Sequence, residues 1–235
     1  MKKSHVATLI VFLVLIPLTL ILGSRLSGRA FYVTSTLVIV ELLIPFFLAF
    51  EGRRPQAREL VVLAVMCALA VAGRVAIPIP SFKAIFGIIM IAGIAFGPES
   101  GFLVGAISAL ASNFFYSQGP YTPWQMMAYG AGGMLAGFVF ARGRLPRKPV
   151  IMGIFGFLAV TFFVGPLLDT CSVFLVMSRI TLKGAMAFYI SGFPVNLRQA
   201  VATAIVLLVL GKPLLEKLDR IKTKYGILDD GGKEA

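Results

Sequence analysis

The chain has 235 residues, of which 58% are hydrophobic and only 14% carry a charged side chain. Soluble domains are nearer half apolar and a quarter charged, so this composition excludes an ordinary soluble protein and indicates an integral membrane protein. The formal net charge of +12 does not indicate nucleic-acid binding, because the basic residues lie between apolar runs instead of along one face.

The first 50 residues, 1–50, are predicted to form a transmembrane hairpin with helices at 6–22 and 31–50. The first run also fits a signal peptide, but the following GSRLSGRA has no small-x-small cleavage site, which favours a retained helix. Glu41 lies near the middle of the second run, where a carboxylate usually faces protein. A functional Glu41 and a protonated or helix-paired Glu41 at the boundary of the hairpin both remain open.

A basic linker at 51–58 precedes a predicted six-helix core at 59–212. The first helix of the core carries Ala64, Ala68 and Ala72 at intervals of four residues. Small residues at that spacing let a second helix approach closely in a bilayer. The spacing alone does not separate packing within the chain from docking to another subunit.

The next part of the core alternates short helices with turns. A loop at 77–83, which ends in Lys83, leads to a predicted helix at 84–97. The sequence GPESG at 97–101 predicts a tight turn, and a helix rich in Gly and Ala follows at 102–116. We expect this helix to lie in the centre of the bundle.

The uncharged stretch 112–130, SNFFYSQGPYTPWQMMAYG, lies between two apolar helical runs and contains the one Trp of the chain. Aromatic and amide side chains in such a segment are typical of a small-molecule pocket, although Trp and Tyr also collect at membrane interfaces as anchors. The side chains predicted to line the pocket are Asn113, Gln118, Tyr121, Trp124, Gln125 and Tyr129.

A long apolar segment at 150–177 is interrupted by Gly165-Pro166, where a kink frees backbone groups that only protein or cavity water can satisfy. Asp169 lies one turn beyond the kink. A contact to a polar ligand and an interfacial Asp169 with a basic partner are both open.

The end of the chain is predicted to contain a loop at 178–192, with a short surface helix in it as an alternative, then a last span at 193–210 and a basic cytoplasmic tail at 213–235. Asn196, Arg198 and Gln199 fall in the first turns of the last span, and we add them, with Lys83 and Asp169, to the predicted binding residues.

About eight crossings place both termini on one side of the membrane, and the excess of Lys and Arg makes that side cytoplasmic. The loops at 77–83, 117–124 and 178–195 then open outward, so the polar clusters share the outer half of the membrane. This convergence favours a binding site for a compact organic solute. The basic residues assigned to the outer side are Arg25, Arg29, Arg74, Lys83, Arg179, Lys183 and Arg198.

The sequence shows no catalytic motif: a P-loop, an HExxH zinc motif and a nucleophile elbow are all missing. Cys67 and Cys171 are expected to be buried thiols, and His5 is isolated, so neither a metal site nor a cofactor is predicted. An enzyme acting on lipid and a purely structural membrane subunit are the alternatives to a solute-binding protein.

Three blocks of the core carry a family resemblance. They are ARELVVLAVMCALAVAGRVAIP, then IAGIAFGPESGFLVGAISALASNFFYSQGPYTPWQMMAYGAGGMLAG, and SGFPVNLRQAVATAIVLLVLGKPLLEKLDRI. Residues 57–212 resemble the substrate-binding S component of energy-coupling factor (ECF) vitamin transporters. The combination of GPESGFLVG, SNFF, GPYTPWQM and AYG in the middle block is the most specific part of the resemblance.

The resemblance implies an all-α membrane protein with a six-helix core, to which the hairpin at 1–50 adds about two helices. It further implies a vitamin bound near the outer face, a transmembrane T subunit docked on Ala64, Ala68 and Ala72, and two cytoplasmic ATPases as partners. The loop at Ser81 to Lys83 would be the gate. Within the family the chain looks closest to cobalamin-type S components, from which it departs at Asn196 and Gln199, where Asp and His are expected.

Overall fold

The structure, a computed structural model, describes residues 14–15, 18–19, 30–52, 57–141, 143–177 and 179–226. Within these ranges it is all-helical, as predicted. The count of eight helices is not tested, because most of the predicted first helix at 6–22 lies outside the described residues, as do Arg25 and Arg29. The helices are α1 (Ala30–Gly52), α2 (Ala57–Val75), α3 (Ile85–Phe96), α4 (Pro98–Tyr116), α5 (Thr122–Phe140), α6 (Pro149–Val176) and α7 (Leu182–Tyr225).

Glycine and proline set the helix ends in the first half of the core. Gly97 separates α3 from α4 with a φ of 92°, a conformation that favours glycine, and Pro98 begins α4 at a position where its missing N–H costs nothing. The predicted turn at 97–101 was therefore too long, since a single residue makes it. The loop at 117–121 contains Ser117, also at positive φ.

The second half differs more from the prediction. The prediction of a loop at 178–192 is wrong from Leu182 onward, where the structure has a helix, the alternative that was open for this stretch. Thr181 accepts a hydrogen bond from the backbone N–H of Gly184 at 3.2 Å and caps this helix. This helix continues through Pro194 and Pro213 to Tyr225. In α6 a π-helical turn, Val160–Val164, lies directly before the predicted break at Gly165-Pro166.

Helix α3 is the centre of the bundle, and all 12 of its residues are buried. Helices α2, α4, α5 and α7 pack around it, and α6 packs against α7. At 1.5 Å per residue α3 is only about 18 Å long, shorter than a bilayer core. Because protein surrounds it, α3 does not need to span the lipid itself. Two described helices, α6 and α7, are long and apolar enough to cross a membrane by length and composition.

The bundle is held together where three helix backbones meet. A methyl group added at Gly93 of α3 would overlap the carbonyl oxygen of Gly133 of α5, and one added at Gly101 of α4 would approach both Gly133 and Gly93. Gly105 and Gly137 make the same kind of backbone contact above and below this point. Glycine lets these helices approach more closely than any other residue permits.

Two cations close the end of α3 that is distant from Lys83. Arg147 donates from Nη2 to the carbonyl oxygen of Ile94 at 3.2 Å, and Lys222 donates to that of Ala95 at 2.8 Å. Arg147 also pairs with Asp219 at 3.3 Å. These bonds satisfy carbonyl groups that a helix end leaves without partners.

Helix α1 packs against α4, α5 and α6 on the outside of the core. Its Leu43 clusters with Phe102 and Ala106 of α4. Glu41 accepts a hydrogen bond from Thr19 at 2.5 Å, while its second carboxylate oxygen is buried without a partner among the described residues. The domain boundaries at 1–50, 51–58, 59–212 and 213–235 stay predictions.

Replacing Gly133 with Ala tests the close approach of the helices. We expect Gly133→Ala to lower the free energy of unfolding by about 1–3 kcal/mol, because the new methyl group meets backbone atoms of Gly101 that cannot rotate away. Gly132→Ala is the matched control, since its methyl group meets side-chain atoms alone, Cγ2 of Val164 at 2.9 Å and Cε of Met90 at 4.0 Å. Thermal unfolding of the purified protein should separate the two variants by about 2–4 °C per kcal/mol. Equal midpoints would contradict the role of this contact.

Candidate functional site

Asn113 ties the end of α4 to the start of α5. Its buried amide donates from Nδ2 to Oγ1 of Thr122 at 3.1 Å and to Oε1 of Gln125 at 2.8 Å. The close packing of α4 on α5 makes these bonds possible across the intervening loop. The prediction had placed Asn113 and Gln125 in one pocket wall, and the structure brings them together.

The loop between α4 and α5 is held by hydrogen bonds that its own side chains make. Gln118 accepts from Thr122 at 2.9 Å and donates to the carbonyl oxygen of Leu110 at 3.0 Å. The Tyr121 hydroxyl donates to the carbonyl oxygen of Ser117 at 2.7 Å. Gln118 and Tyr121 therefore shape the loop beside Asn113.

Arg74, at the end of α2, joins this cluster and was not among the predicted binding residues. It donates from Nη1 to Ser112 and, at 3.0 Å, to Oδ1 of Asn113. Its guanidinium carbon lies 4.9 Å from the ring centroid of Tyr116 and 5.6 Å from that of Tyr129. Such distances are typical of cation–π contacts. The sequence feature that could have indicated Arg74 is its position as a charged residue in the last turn of an apolar helix.

Tyr129 closes the cluster from below. It is 3% exposed and packs edge-to-face against Phe86 of α3 at 4.6 Å between ring centroids. The Arg74 guanidinium therefore packs against a buried ring.

The loop at 77–83 is attached to α7. The backbone N–H of Lys83 donates to Oε1 of Gln199 at 3.2 Å, and the Lys83 ammonium donates to the carbonyl oxygen of Ile77. The same ammonium lies 6.0 Å from the ring centroid of Tyr116. Lys83 therefore links the Arg74 cluster with α7, a pairing that spacing in the sequence does not show.

Asp169 and Asn196 form a second polar group, between α6 and α7. Nδ2 of Asn196 donates to Oδ2 of Asp169 at 2.7 Å, and Asn196 is 6% exposed. Gly192 leaves room for the Asp169 carboxylate, and Gly165 leaves room for the Asn196 amide. The partner of Asp169 is thus an amide. The hydrogen bonds of the described residues do not join this group to the Arg74 cluster.

Trp124 and Arg198 lie apart from both polar groups. Trp124 is 8% exposed and clusters with Ile39 of α1 and Cys171 of α6, and its indole N–H has no partner among the described residues. Arg198 is exposed and donates to the carbonyl oxygen of Pro194 at 3.2 Å. Their roles in binding stay predictions. Cys67 and Cys171 are free and buried, as expected.

An apolar groove of about 640 Å³ runs along α2 and α4. Ala64, Ala68 and Ala72 line it and are all exposed, so the alanine stripe is not used for packing among the described residues. Larger side chains complete the walls, among them Leu103, Ile107 and Phe115.

A comparison with protein families gives one match. The sequence model of the family described as "ECF-type riboflavin transporter, S component" matches residues 55–216, which is more than half of the chain and includes α2 to α6 with most of α7. No curated protein and no solved structure matches the chain significantly. The match confirms the resemblance to ECF S components and removes the lipid-modifying enzyme as an alternative. The chain therefore belongs to the ECF-type riboflavin transporter S-component family and is a subunit of a membrane transporter, not an enzyme.

Proposed function

We propose that the chain captures one vitamin at the outer face of the plasma membrane and delivers it together with a T subunit and two cytoplasmic ATPases. Membership of the S-component family carries this proposal, because that family consists of substrate-specific subunits of vitamin importers. The sequence itself has no P-loop, so ATP hydrolysis belongs to the partners.

The proposed vitamin site lies at the end of the bundle that holds Arg74, Asn113, Gln125, Lys83 and Gln199. Hydrogen-bond donors and acceptors gather there beside aromatic rings, which suits a compact, polar and unsaturated ligand. Most described basic residues lie at the opposite end, and this supports a cytoplasmic location for that end and for both termini. They include Arg144, Arg147, Lys148, Lys212, Lys217, Arg220, Lys222 and Lys224.

Two vitamins are candidates for the ligand. Riboflavin is the first, because the description of the matched family names it. Cobalamin is the second, because the core at 57–212 looks closest to cobalamin-type S components, apart from Asn196 and Gln199. Both offer carbonyl oxygens to which Nε2 of Gln125 can donate, whereas Oε1 of Gln125 and the buried amide of Asn113 are already bonded within the cluster.

Purified full-length protein should bind one vitamin with 1:1 stoichiometry and hydrolyse no ATP. Calorimetric titration with riboflavin and cobalamin tests this directly, and thiamine, biotin, folate, pantothenate and queuosine extend the panel. Binding by none of the seven would contradict the proposed function and favour a purely structural membrane subunit. ATP hydrolysis by the chain alone would contradict the assignment of ATP hydrolysis to the partner subunits.

The loop at 77–83 is proposed as the gate of the vitamin site. The hydrogen bond between the Lys83 backbone N–H and Gln199 supports this role, since it fixes the end of the loop to α7 next to the Arg74 cluster. The Gln199 side chain thus ties the loop to α7, while the Lys83 ammonium bonds within the loop to the carbonyl oxygen of Ile77.

Replacing Gln199 with Ala should let the loop open more often. We expect the bound vitamin to dissociate about 2–10-fold faster, which corresponds to the loss of one hydrogen bond. Gln199→Glu keeps an acceptor for the Lys83 N–H and should stay near the parent rate. Stopped-flow dissociation kinetics measure both variants. If the vitamin dissociated equally fast from both variants, any change at position 199 would have this effect, and loss of the hydrogen bond would not be its cause.

The alanine stripe is proposed as the docking surface for the T subunit. Its exposure and the apolar character of the groove support this, because a flat face of small residues permits close helix contact in lipid. The packing of α1 on another side of the core leaves the groove uncovered.

Ala68→Leu should abolish vitamin uptake in cells that contain the T subunit and ATPases, while vitamin binding by the purified protein stays unchanged. The larger side chain would fill the groove and keep the partner helix away. Ala187→Leu, the same change at an exposed position of α7, is the control and should leave uptake intact. Loss of binding in Ala68→Leu would indicate a role in internal packing instead.

A further inference from the structure

Arg74 and Lys83 differ from the other described basic residues at the outer end of the bundle. Arg179, Lys183 and Arg198 are exposed, whereas Arg74 and Lys83 are partly buried and the Arg74 guanidinium lies against α4 and α5. A cation that is partly buried at this depth loses part of its hydration shell. The groups around it therefore indicate which kind of ligand it can bind.

Those surroundings contain rings and amides but no acid among the described residues. Tyr116 and Tyr129 present their rings, and Asn113 presents an amide oxygen. Lys83 brings a second cation to the ring of Tyr116. The carboxylate of Asp169 is bonded to Asn196 in the separate group between α6 and α7. Two cations therefore share one ring without a carboxylate bonded to either of them.

The guanidinium keeps donors available. Arginine has five N–H donors, and the hydrogen bonds among the described residues use only those on Nη1 of Arg74. Nη2 and Nε make no hydrogen bond among the described residues and are not fully buried. A guanidinium with this edge free matches two oxygens of a carboxylate or phosphate.

We propose that Arg74, with Lys83 beside it, forms an oxyanion subsite that binds the phosphate or carboxylate group of a captured molecule that carries one, such as a phosphorylated form of the vitamin. This inference rests on the proposed function for the identity of that molecule as a vitamin. Ser112 and Asn113 are positioning residues in this arrangement, because their bonds to Nη1 fix the plane of the guanidinium.

Matched ligands that differ by one phosphate test the subsite. Riboflavin is compared with flavin mononucleotide, and cobinamide with cobinamide phosphate, on the parent protein and on Arg74→Gln. We expect Arg74→Gln to weaken binding of both members, and that of the phosphorylated member at least about tenfold more, as for loss of a charged hydrogen-bond pair. Arg74→Lys should be intermediate, since it keeps the charge without the planar fork.

Arg179→Gln is the control, because it removes one exposed charge at the same end of the bundle. It should change neither affinity. An equal loss for both members of a pair in Arg74→Gln would reduce Arg74 to a packing role, and an unchanged affinity for the phosphorylated member would overturn the subsite.

Lipid headgroups carry the same chemistry, so the titrations are made in phosphate-free detergent and again in phosphatidylglycerol nanodiscs. The phosphorylated vitamin should keep its dependence on Arg74 in both. Loss of that dependence only in nanodiscs would assign the subsite to lipid and overturn its assignment to the vitamin.

Inorganic phosphate separates failure of the subsite from failure of the proposed function. At equal ionic strength, phosphate should raise the unfolding midpoint of the parent protein relative to chloride, and should not do so in Arg74→Gln. If no vitamin binds but this stabilisation occurs, the subsite stands and the vitamin function fails. If vitamins bind without regard to their phosphate and no stabilisation occurs, the function stands and the subsite fails.

Discussion

The backbone contact between α3, α4 and α5 is the constraint on which the rest of the structure depends. Apolar side chains gain little by leaving lipid for one another, so helices in a membrane associate through close packing and polar contacts. Gly93, Gly101 and Gly133 supply that packing at one point of the bundle. With α4 and α5 fixed there, Asn113 comes within hydrogen-bond distance of Thr122 and Gln125, and the outer polar cluster is assembled.

The two ends of the bundle use their cations differently. At the end of the bundle away from Lys83, Arg147 and Lys222 bond to backbone carbonyl oxygens of α3, and Arg147 has Asp219 as a counter-ion. These contacts satisfy a helix end. At the opposite end, Arg74 and Lys83 lie beside aromatic rings with neutral acceptors. The same residue types therefore bond to backbone at one end and make cation–π contacts at the other.

Much of the fold could be predicted from the sequence because glycine and proline mark the helix ends between 84 and 141. The prediction failed where a proline does not end a helix. Pro194 lies inside α7 without ending it, so the residues before it looked like a loop. Contacts between helices could not be predicted from the sequence for another reason. The bond of Asp169 to Asn196 needs the space left by Gly192 and Gly165, and that space exists only once α6 and α7 are packed.

Helix α2 carries both proposed activities of the chain on different faces. Ala64, Ala68 and Ala72 face the open groove, while Arg74, half a turn beyond Ala72, reaches into the outer cluster. A ligand bound to Arg74 would therefore contact the same helix that a partner subunit would contact. The additional helix α1 does not obstruct this arrangement, because its contacts with the core are to α4, α5 and α6. On α4 it covers Phe102 and Ala106 and leaves the neighbouring groove face open, so the bundle gains a helix without losing the proposed docking surface.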